Sequence, residues 1–458
     1  SSLAATYRGG FVAWIDGEYQ VRVGAYTSRE EALSAMDSIP DAREVVGTSS
    51  YGMSVVETGT DEILFQYDCG SSGALGIQPD VTGQRETRTW FNGLKYRGGF
   101  QYQRRSGNNL TVVNVVSLED YVNGVICYEM GRSWPLEALK AQALCARTYV
   151  LQNLGKHESY GFDICNSANC QVYSGMGSNR TDYGPSETSM QAVAETEGQV
   201  ILYHGELIEV AYSSSFGGAS EDAYNVWGTD TVNNYPYLCG VEDPYESYLD
   251  SQNSRANWTV SYTASELASR LNSRGYGVGS SIDYLELEYS ELGNVIELVV
   301  HWSNGQSNSF YPSLGAGIRS NFGLDSIRFT VNGQTVSETG RSASGNEILV
   351  NGSDSVSDLD GMYAVSGSGD ISQITGDPYV ITGSGDVSPA GESNTGNGTN
   401  QGGGTVIVSG STYVFEGGGW GHQIGMSQYG ANAMARMGYS GEEIVEFYFP
   451  GVSVGYYD

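Results

Sequence analysis

Apolar and polar residues alternate with a period of two through "FVAWIDGEYQVRVGAY" (11–26), which predicts a hairpin turning at Asp16-Gly17. The next stretch, "SREEALSAMDSI", reads as a helix, with Ser28 and Glu31 at the spacing of a capping box. Residues 1–58 are thus expected to form a small α+β module. Strand-like runs follow at Glu62–Tyr67, Leu110–Val116, Gln199–Leu202, Leu207–Ala211, Tyr284–Tyr289 and Val295–His301. Helical patterns lie between them near 118–130, 135–153 and 265–272, so residues 59–335 read as the first part of a larger α+β domain. From 336 to 410 the composition turns to Gly, Ser, Asn and Asp, with no Lys or Arg after Arg341. There "YAVSGSGDIS" from residue 363 is echoed by "YVITGSGDVS" from 379, which predicts a β-rich insertion. Within it "AGESNTGNGTNQGGG" reads as flexible linker. Residues 411–458 regain globular character as a glycine loop, a helix, Gly438 and a second helix that Ser440 and Glu443 would cap. The expected fold class is α+β, mixed helices and β-sheets around a substrate cleft.

Charge narrows the function. Against 53 acidic residues stand 22 basic ones, a net charge of −31, and lysine occurs only at 95, 140 and 156. Such a field disfavours nucleic acid and anionic lipid as partners. Most of these charges are expected to be a solvated surface, and the few cations become worth following. Six cysteines are too few for a disulfide scaffold at 458 residues. No apolar run reaches about 18 residues, and "SSLAATYRGG" at the start is not a signal peptide.

The most informative stretch is "GVICYEMGRSWPLEALKAQALCARTYV" (124–150), which reads as two helices broken at Gly131 and Trp134-Pro135. Ser117 and Asp120 suit the start of the first helix. Leu118, Val122, Val125 and Glu129 then fall within roughly 40° of one another on one face. Glu129 therefore stands on the apolar stripe, in the last turn before Gly131. Burial and the negative helix end both disfavour the carboxylate anion there, the setting for an acid that keeps its proton near neutrality and delivers it. The plainer alternative is an ion pair with the second helix, where Lys140, Leu144, Arg147 and Leu151 share a stripe. The same two cations would suit a substrate carboxylate.

"LEDYVNGVICYEMGRSWPLEALKAQALCARTYV" resembles the signature of the stage II sporulation protein D family, which includes bacterial amidase enhancers. Further segments match in order: "CQVYSG" (170–175), "EVAYSSSFGGASEDAYNVWG" (209–228), "YPYL" (235–238), "IRSNFGLDSIRFTV" (318–331) and "GGGWGHQIGMSQYGANAMARMGYSGEEIVEFYFPG" (417–451). "YQVRVGAYTSREEA" resembles part of a SPOR repeat, which binds glycan strands stripped of peptides. The resemblance implies a lytic transglycosylase that cuts the β-1,4 bond between N-acetylmuramic acid and N-acetylglucosamine, with Glu129 as its acid. It also implies an extracytoplasmic protein, secreted or held by a segment absent from this sequence. The expected partners are peptide-free glycan strands and, on a second reading, a cell-wall amidase that the protein stimulates without cutting glycan itself.

The matching motifs nominate further contacts. Lys140 and Arg147 would centre a cationic patch for the lactyl carboxylates. Tyr173, the hydroxyls of Ser213, Ser214 and Ser215, the bare backbone of Gly217 and Gly218, and Trp420, His422 and Gln428 would line the sugar cleft. Trp134 and Trp227 are further stacking candidates, although core packing is the commoner use of any one Trp. The family commonly has Gly where this chain has Gln423. No cofactor is required, but His157, Cys165 and Cys170 form H-x7-C-x4-C, three ligands of a structural zinc site. A Cys165–Cys170 disulfide and two separate thiols are the competing readings, and Cys127 and Cys145 are a further pair.

Overall fold

β1 (Gly10–Ile15) and β2 (Glu18–Val23) pair antiparallel with Ile15 opposite Glu18. Asp16 and Gly17 turn between them at φ of 50° and 86°, the two-residue turn that matches strand twist. The computed structural model describes residues 2–80, 88–105, 109–178, 184–228, 234–312, 317–336 and 403–457, with six short strands inside 348–389. Its helices and sheets form an α+β fold in two units, Ser1–Val210 with Ser453–Asp458, and Ala211–Val452.

In the first unit, α1 (Arg29–Met36) is capped by Ser28, whose side chain accepts from the Glu31 N–H. β3 (Met53–Val56) and β4 (Ile63–Asp68) complete a sheet of order β2-β1-β4-β3. This corrects the boundary expected at residue 58. β4 pairs in parallel with β1, Val12 opposite Phe65 and Ile15 opposite Asp68, so the module runs on to Asp68. After β5 (Leu75–Ile77) come β6 (Thr89–Phe91), β7 (Leu94–Tyr96), β8 (Gly99–Arg104) and β9 (Leu110–Val115), with β5-β8-β9 forming one sheet and β6-β7 a hairpin. The strand expected over Leu110–Val116 and the helices expected near 118–130 and 135–153 are present as β9, α2 (Leu118–Glu129) and α3 (Leu136–Gln152).

Ser117 caps α2 by accepting from the Asp120 N–H, and α3 starts directly after Pro135, where a helix tolerates a missing donor. The α3 positions from Ala138 to Val150 are buried except Lys140. This helix therefore forms the core of its unit, packed by α2 and by α4 (Glu187–Glu195). β10 (Gln199–Tyr203) lies between β11 (Glu206–Leu207) and β27 (Ser453–Tyr456), with Gln199 opposite Tyr456 and Leu202 opposite Ser453. The strand expected over Leu207–Ala211 shortens to β11, and β12 (Tyr212–Ser213) belongs to the second unit.

The second unit is built on two antiparallel sheets. One has the order β16-β15-β14-β24, with β14 (Ile282–Tyr289), β15 (Val295–Trp302), β16 (Ser307–Phe310) and β24 (Gly404–Ser409). In the other, β25 (Thr412–Gly417) lies between β13 (Trp258–Thr263) and β17 (Phe329–Val331). Leu285, Leu287, Leu298, Val300, Trp302, Phe310, Phe322 and Phe415 bury themselves in one core with the helix Ala264–Ser273. The insertion expected to run to residue 410 ends earlier, because Val406 and Val408 are buried and bring β24 into the core sheet. Inside the insertion the two sequence repeats are two hairpins, Tyr363–Val365 with Ile371–Gln373 and Tyr379–Ile381 with Val387–Pro389. A third, Ile348–Val350 with Asp354–Val356, precedes them. The linker expected over 390–404 lies outside the described residues up to 402. Ser440 and Glu443 form the capping box expected of the helix Gly441–Tyr448.

Candidate active site and glycine-loop platform

Glu129 is the last residue of α2 and is half-buried. Its Oε1 accepts from the Val172 N–H at 2.9 Å, so the acid is fastened to the middle of "CQVYSG". That loop is itself firmly held. Gln171, 1 % exposed, accepts from the Tyr121 hydroxyl at 3.1 Å and donates to the Ala146 carbonyl at 3.4 Å, tying α2 to α3. Tyr173 stacks on Tyr121 with ring centroids 4.8 Å apart and donates to Asn114 Oδ1 at 2.6 Å. A Cβ at Gly124 would lie 2.4 Å from the Tyr173 ring, so this helical glycine exists to admit it. The expected sugar-lining role of Tyr173 is therefore corrected. At 6 % exposure it is a packing residue beneath the loop.

The cationic patch is corrected as well. Arg147 is fully buried, and its Nε and Nη2 grip both oxygens of Glu119 at 2.9 and 2.7 Å while Nη1 donates to the Gln199 carbonyl at 2.8 Å. It braces α2, α3 and β10 and offers nothing to a ligand. Lys140 is half-buried between Glu137 at 2.8 Å and Glu195 at 2.5 Å. Asp120 pairs with Arg97 at 2.6 Å. The two acids at the start of α2 are thus ion-pair partners beyond any service to the helix dipole. Trp134 is half-buried and lies over Gly131, where a Cβ would meet its indole nitrogen at 2.4 Å.

Just upstream of Val172, His157, Cys165 and Cys170 place their ligand atoms within 4.8 Å of one another. His157 Nε2 is 3.3 Å from Cys170 Sγ. Neither Cys165 with Cys170 nor Cys127 with Cys145 is joined by a disulfide. Burial opposes ionisation of the Cys165 thiol, but hydrogen bonding with Ser167, Cys170 and His157 overrides it and brings the thiol down to about 6. A sulfur-rich, partly exposed set with one thiol ready to ionise fits zinc, which binds as the thiolate complex.

In the second unit the glycine-rich motifs meet each other. β12 pairs in parallel with β26 (Met426–Ser427), and Ser215 and Trp420 exchange backbone hydrogen bonds at 3.2 and 2.7 Å. Gly217 sits at φ 68°, and a Cβ on it would come within 2.6 Å of the Gly418 backbone. Its bareness thus serves the approach of two loops, where the sequence suggested the approach of a ligand. Gly218, at φ 117°, has only ordinary contacts with Arg328. Ser215 is buried and donates to Glu246, which also receives the Phe216 N–H at 2.8 Å and the Ser427 hydroxyl at 3.1 Å. Burial and the neighbouring Asp243 push the Glu246 carboxyl up to about 7. Glu246 is the organising residue that sequence reasoning missed, one acid among 53 with no periodic signal.

The remaining nominees divide by exposure. Ser213 and Gln428 are buried, Ser213 Oγ against Gly421 with no hydrogen-bond partner among the described residues. Ser214 is half-buried and accepts the Tyr429 N–H on its carbonyl at 3.0 Å. His422 is corrected from sugar contact to backbone pin. Its Nε2 faces the Tyr212 carbonyl at 3.0 Å while Nδ1 accepts from the Ile424 N–H at 3.1 Å, so neither nitrogen is left for substrate. Burial and nearby Arg319 hold it down to about 4, so it is neutral at physiological pH. Gln423 takes φ 66°, a left-handed backbone that suits the glycine the resemblance implies at this position, and its amide donates to the Phe216 carbonyl at 2.6 Å. Trp420 and Trp227 are exposed, at 40 % and 42 %.

Residues 106–203, which carry Glu129, α3 and the His-Cys-Cys cluster, match the family model of the stage II sporulation protein. Over 357 residues the chain is 26 % identical to stage II sporulation protein D of Bacillus subtilis, covering 76 % of each chain. Over 336 residues it is 28 % identical to the amidase enhancer of the same organism, covering 73 % of this chain and 40 % of that one. Residues 106–203 thus carry the stage II sporulation protein domain, and the chain is similar over about three quarters of its length to stage II sporulation protein D and to the amidase enhancer. It is also 34 % identical over 192 residues to an uncharacterised protein of Brachyspira hyodysenteriae, 39 % of this chain and 49 % of that protein. The chain thus spans half or less of the length of two of these relatives and about three quarters of stage II sporulation protein D. Within the family's matched region, the acid at the end of α2 and the loop that holds it are the parts with chemistry to offer.

Proposed function

We propose that the protein is an extracytoplasmic lytic transglycosylase acting on peptide-poor glycan strands of the cell wall, in sporulation or wall remodelling. The observation that carries this reading is Glu129, half-buried at the end of α2 with one carboxyl oxygen held by the Val172 N–H. As the acid, Glu129 gives its proton to the glycosidic oxygen while the bond from that oxygen to C1 of the muramyl sugar breaks. The resulting carboxylate then takes the proton of the muramyl C6 hydroxyl as that oxygen bonds to C1. The 1,6-anhydro ring closes and the acid is regenerated, so one carboxyl suffices where an ordinary glycosidase needs two. Gln171, Tyr173 and Tyr121 keep Val172, and with it Glu129, in place.

His157, Cys165 and Cys170 are the residues that would hold zinc, whose contribution would be to stiffen the loop leading to Val172. Metal analysis of freshly purified protein, beside a Cys165→Ser variant, tests this, and no zinc in the parent protein defeats it. The first module extends the reading. A groove of about 1130 Å³ lined by Tyr7, Tyr26, Arg22, Arg29 and Arg43 suits glycan that carries carboxylates, in keeping with its SPOR-like sequence.

The deciding experiment incubates the protein and its Glu129→Gln variant with denuded glycan strands and searches the products for anhydro-sugar ends by mass spectrometry. Anhydro ends are expected from the parent alone. A second reading, a non-catalytic enhancer of a cell-wall amidase, is favoured by the 28 % identity to the Bacillus subtilis amidase enhancer. Glycan binding without cleavage by either protein, with stimulation of an amidase by both, would establish it instead.

A further inference from the structure

Three loops of the second unit converge on an exposed tryptophan. Trp420 is locked to Ser215 by the paired backbone bonds described above. The Gly419 N–H donates to the Arg255 carbonyl at 2.9 Å and the Gly421 N–H to the Asp325 carbonyl at 3.2 Å. Asn253 ties the Arg255 loop to the Ser215 loop, giving its amide to Ser215 Oγ at 2.8 Å and accepting the Arg255 N–H at 2.9 Å. On this welded base the Arg255 guanidinium stacks over the Trp420 ring, 4.0 Å from its centroid, and Nη1 meets Asp325 at 2.5 Å. All three side chains still face solvent, at 40 % for Trp420 and 46 % and 20 % for the side chains of Arg255 and Asp325.

A large exposed aromatic held this rigidly loses little entropy on binding. The chemistry around it is specific. An indole surface packs against the C–H face of a sugar, a guanidinium offers parallel donors to a carboxylate, and an aspartate accepts from hydroxyls. Although paired with Asp325, the Arg255 side chain remains 46 % exposed, where an anionic ligand can reach it.

We infer that Arg255, Trp420 and Asp325 form a binding subsite for a saccharide that bears a free carboxylate, with Arg255 as its specificity-determining residue. The inference rests on the glycan reading above and deepens it. Trp420 supplies the platform for the ring, and Arg255 distinguishes a free acid from the same sugar with its carboxyl blocked as an amide.

The test uses the full chain in the Glu129→Gln background, where no cleavage occurs, with its seven tryptophans replaced by 5-fluorotryptophan. The fluorine resonance missing from Trp420→Phe identifies Trp420 and serves as a site-specific probe. It is titrated with a muramyl tetrasaccharide carrying free lactyl carboxylates, and with the amidated form. The expected result is a saturable shift by the free acid, weakened about tenfold in Arg255→Gln, with the amidated ligand's affinity the same in both proteins. A Trp420 resonance that stays fixed at millimolar ligand overturns the subsite. Equal weakening of acid and amide overturns carboxylate recognition by Arg255. Because binding is read without turnover, a parent enzyme that makes no anhydro ends but shifts this resonance would overturn only the catalytic proposal.

Discussion

Arg147 shows how a single side chain can mislead. On its helical stripe it reads as a cation available to substrate, yet it is fully buried, and Glu119, Thr196 and Gln199 complete its shell. Arg147→Ala strands Glu119 and the Gln199 carbonyl, so we expect a loss of about 3 kcal/mol in denaturant unfolding, with glycan binding falling only as far as the fold does. Nothing local signals this, because its partners lie 28, 49 and 52 residues away. The place of Glu129 at the end of α2, by contrast, was legible because stripe, cap and Gly131 are all neighbours in sequence. Titration separates two other buried groups. Glu246 is raised on folding to about 7 from an ordinary 4.5, so its stabilising contribution is complete below 4.5 and disappears as pH climbs through 7. His422 is lowered to about 4 from 6.5, so its contribution is present above 6.5 and disappears as pH falls towards 4. Between pH 6.5 and 8 only Glu246 titrates of the two, and melting temperature should fall with rising pH. Glu246→Gln should flatten that slope, and an unchanged slope would refute the assignment.

Among elements, α2 carries the clearest consequence. An Ala in place of Gly124 would ordinarily favour a helix by about 1 kcal/mol. Here its methyl would enter the Tyr173 ring, which cannot retreat while bonded to Asn114 and stacked on Tyr121. We expect Gly124→Ala to cost about 1–2 kcal/mol net and to reduce anhydro-end formation more than stability, since the displaced loop includes Val172. Thermal melts beside turnover measurements check this, and equal losses would show that the loop tolerates the shift. Elements were readable wherever their signals were local. The Asp16-Gly17 turn, the Ser117 and Ser440 caps and the strand run over Tyr284–Tyr289 all have observed counterparts. Pairing partners were not readable. β4 alternates like any strand, and only its parallel contact with β1 assigns it to the first sheet. Likewise β24 emerges from a glycine-rich tract and shows its allegiance only through Val406 and Val408 in the core.

The whole molecule has a first unit made of both ends of the chain, since β27 closes its last sheet against β10. Removal of residues 453–458 should therefore weaken hydrogen-exchange protection at Gln199–Leu202, the strand that also receives Arg147. Protection equal to that of the intact chain would mean that β11 and α3 suffice. Acidity is the other molecular-scale feature. It was readable at once, whereas the stacking of Arg255 on Trp420 beside Asp325 shows only in the fold. The closing position of β27 also bears on synthesis. A ribosome makes this strand some 240 residues after the rest of its unit, so the nascent chain carries an unfinished sheet throughout that span. An edge left open for that long invites pairing with the wrong neighbour.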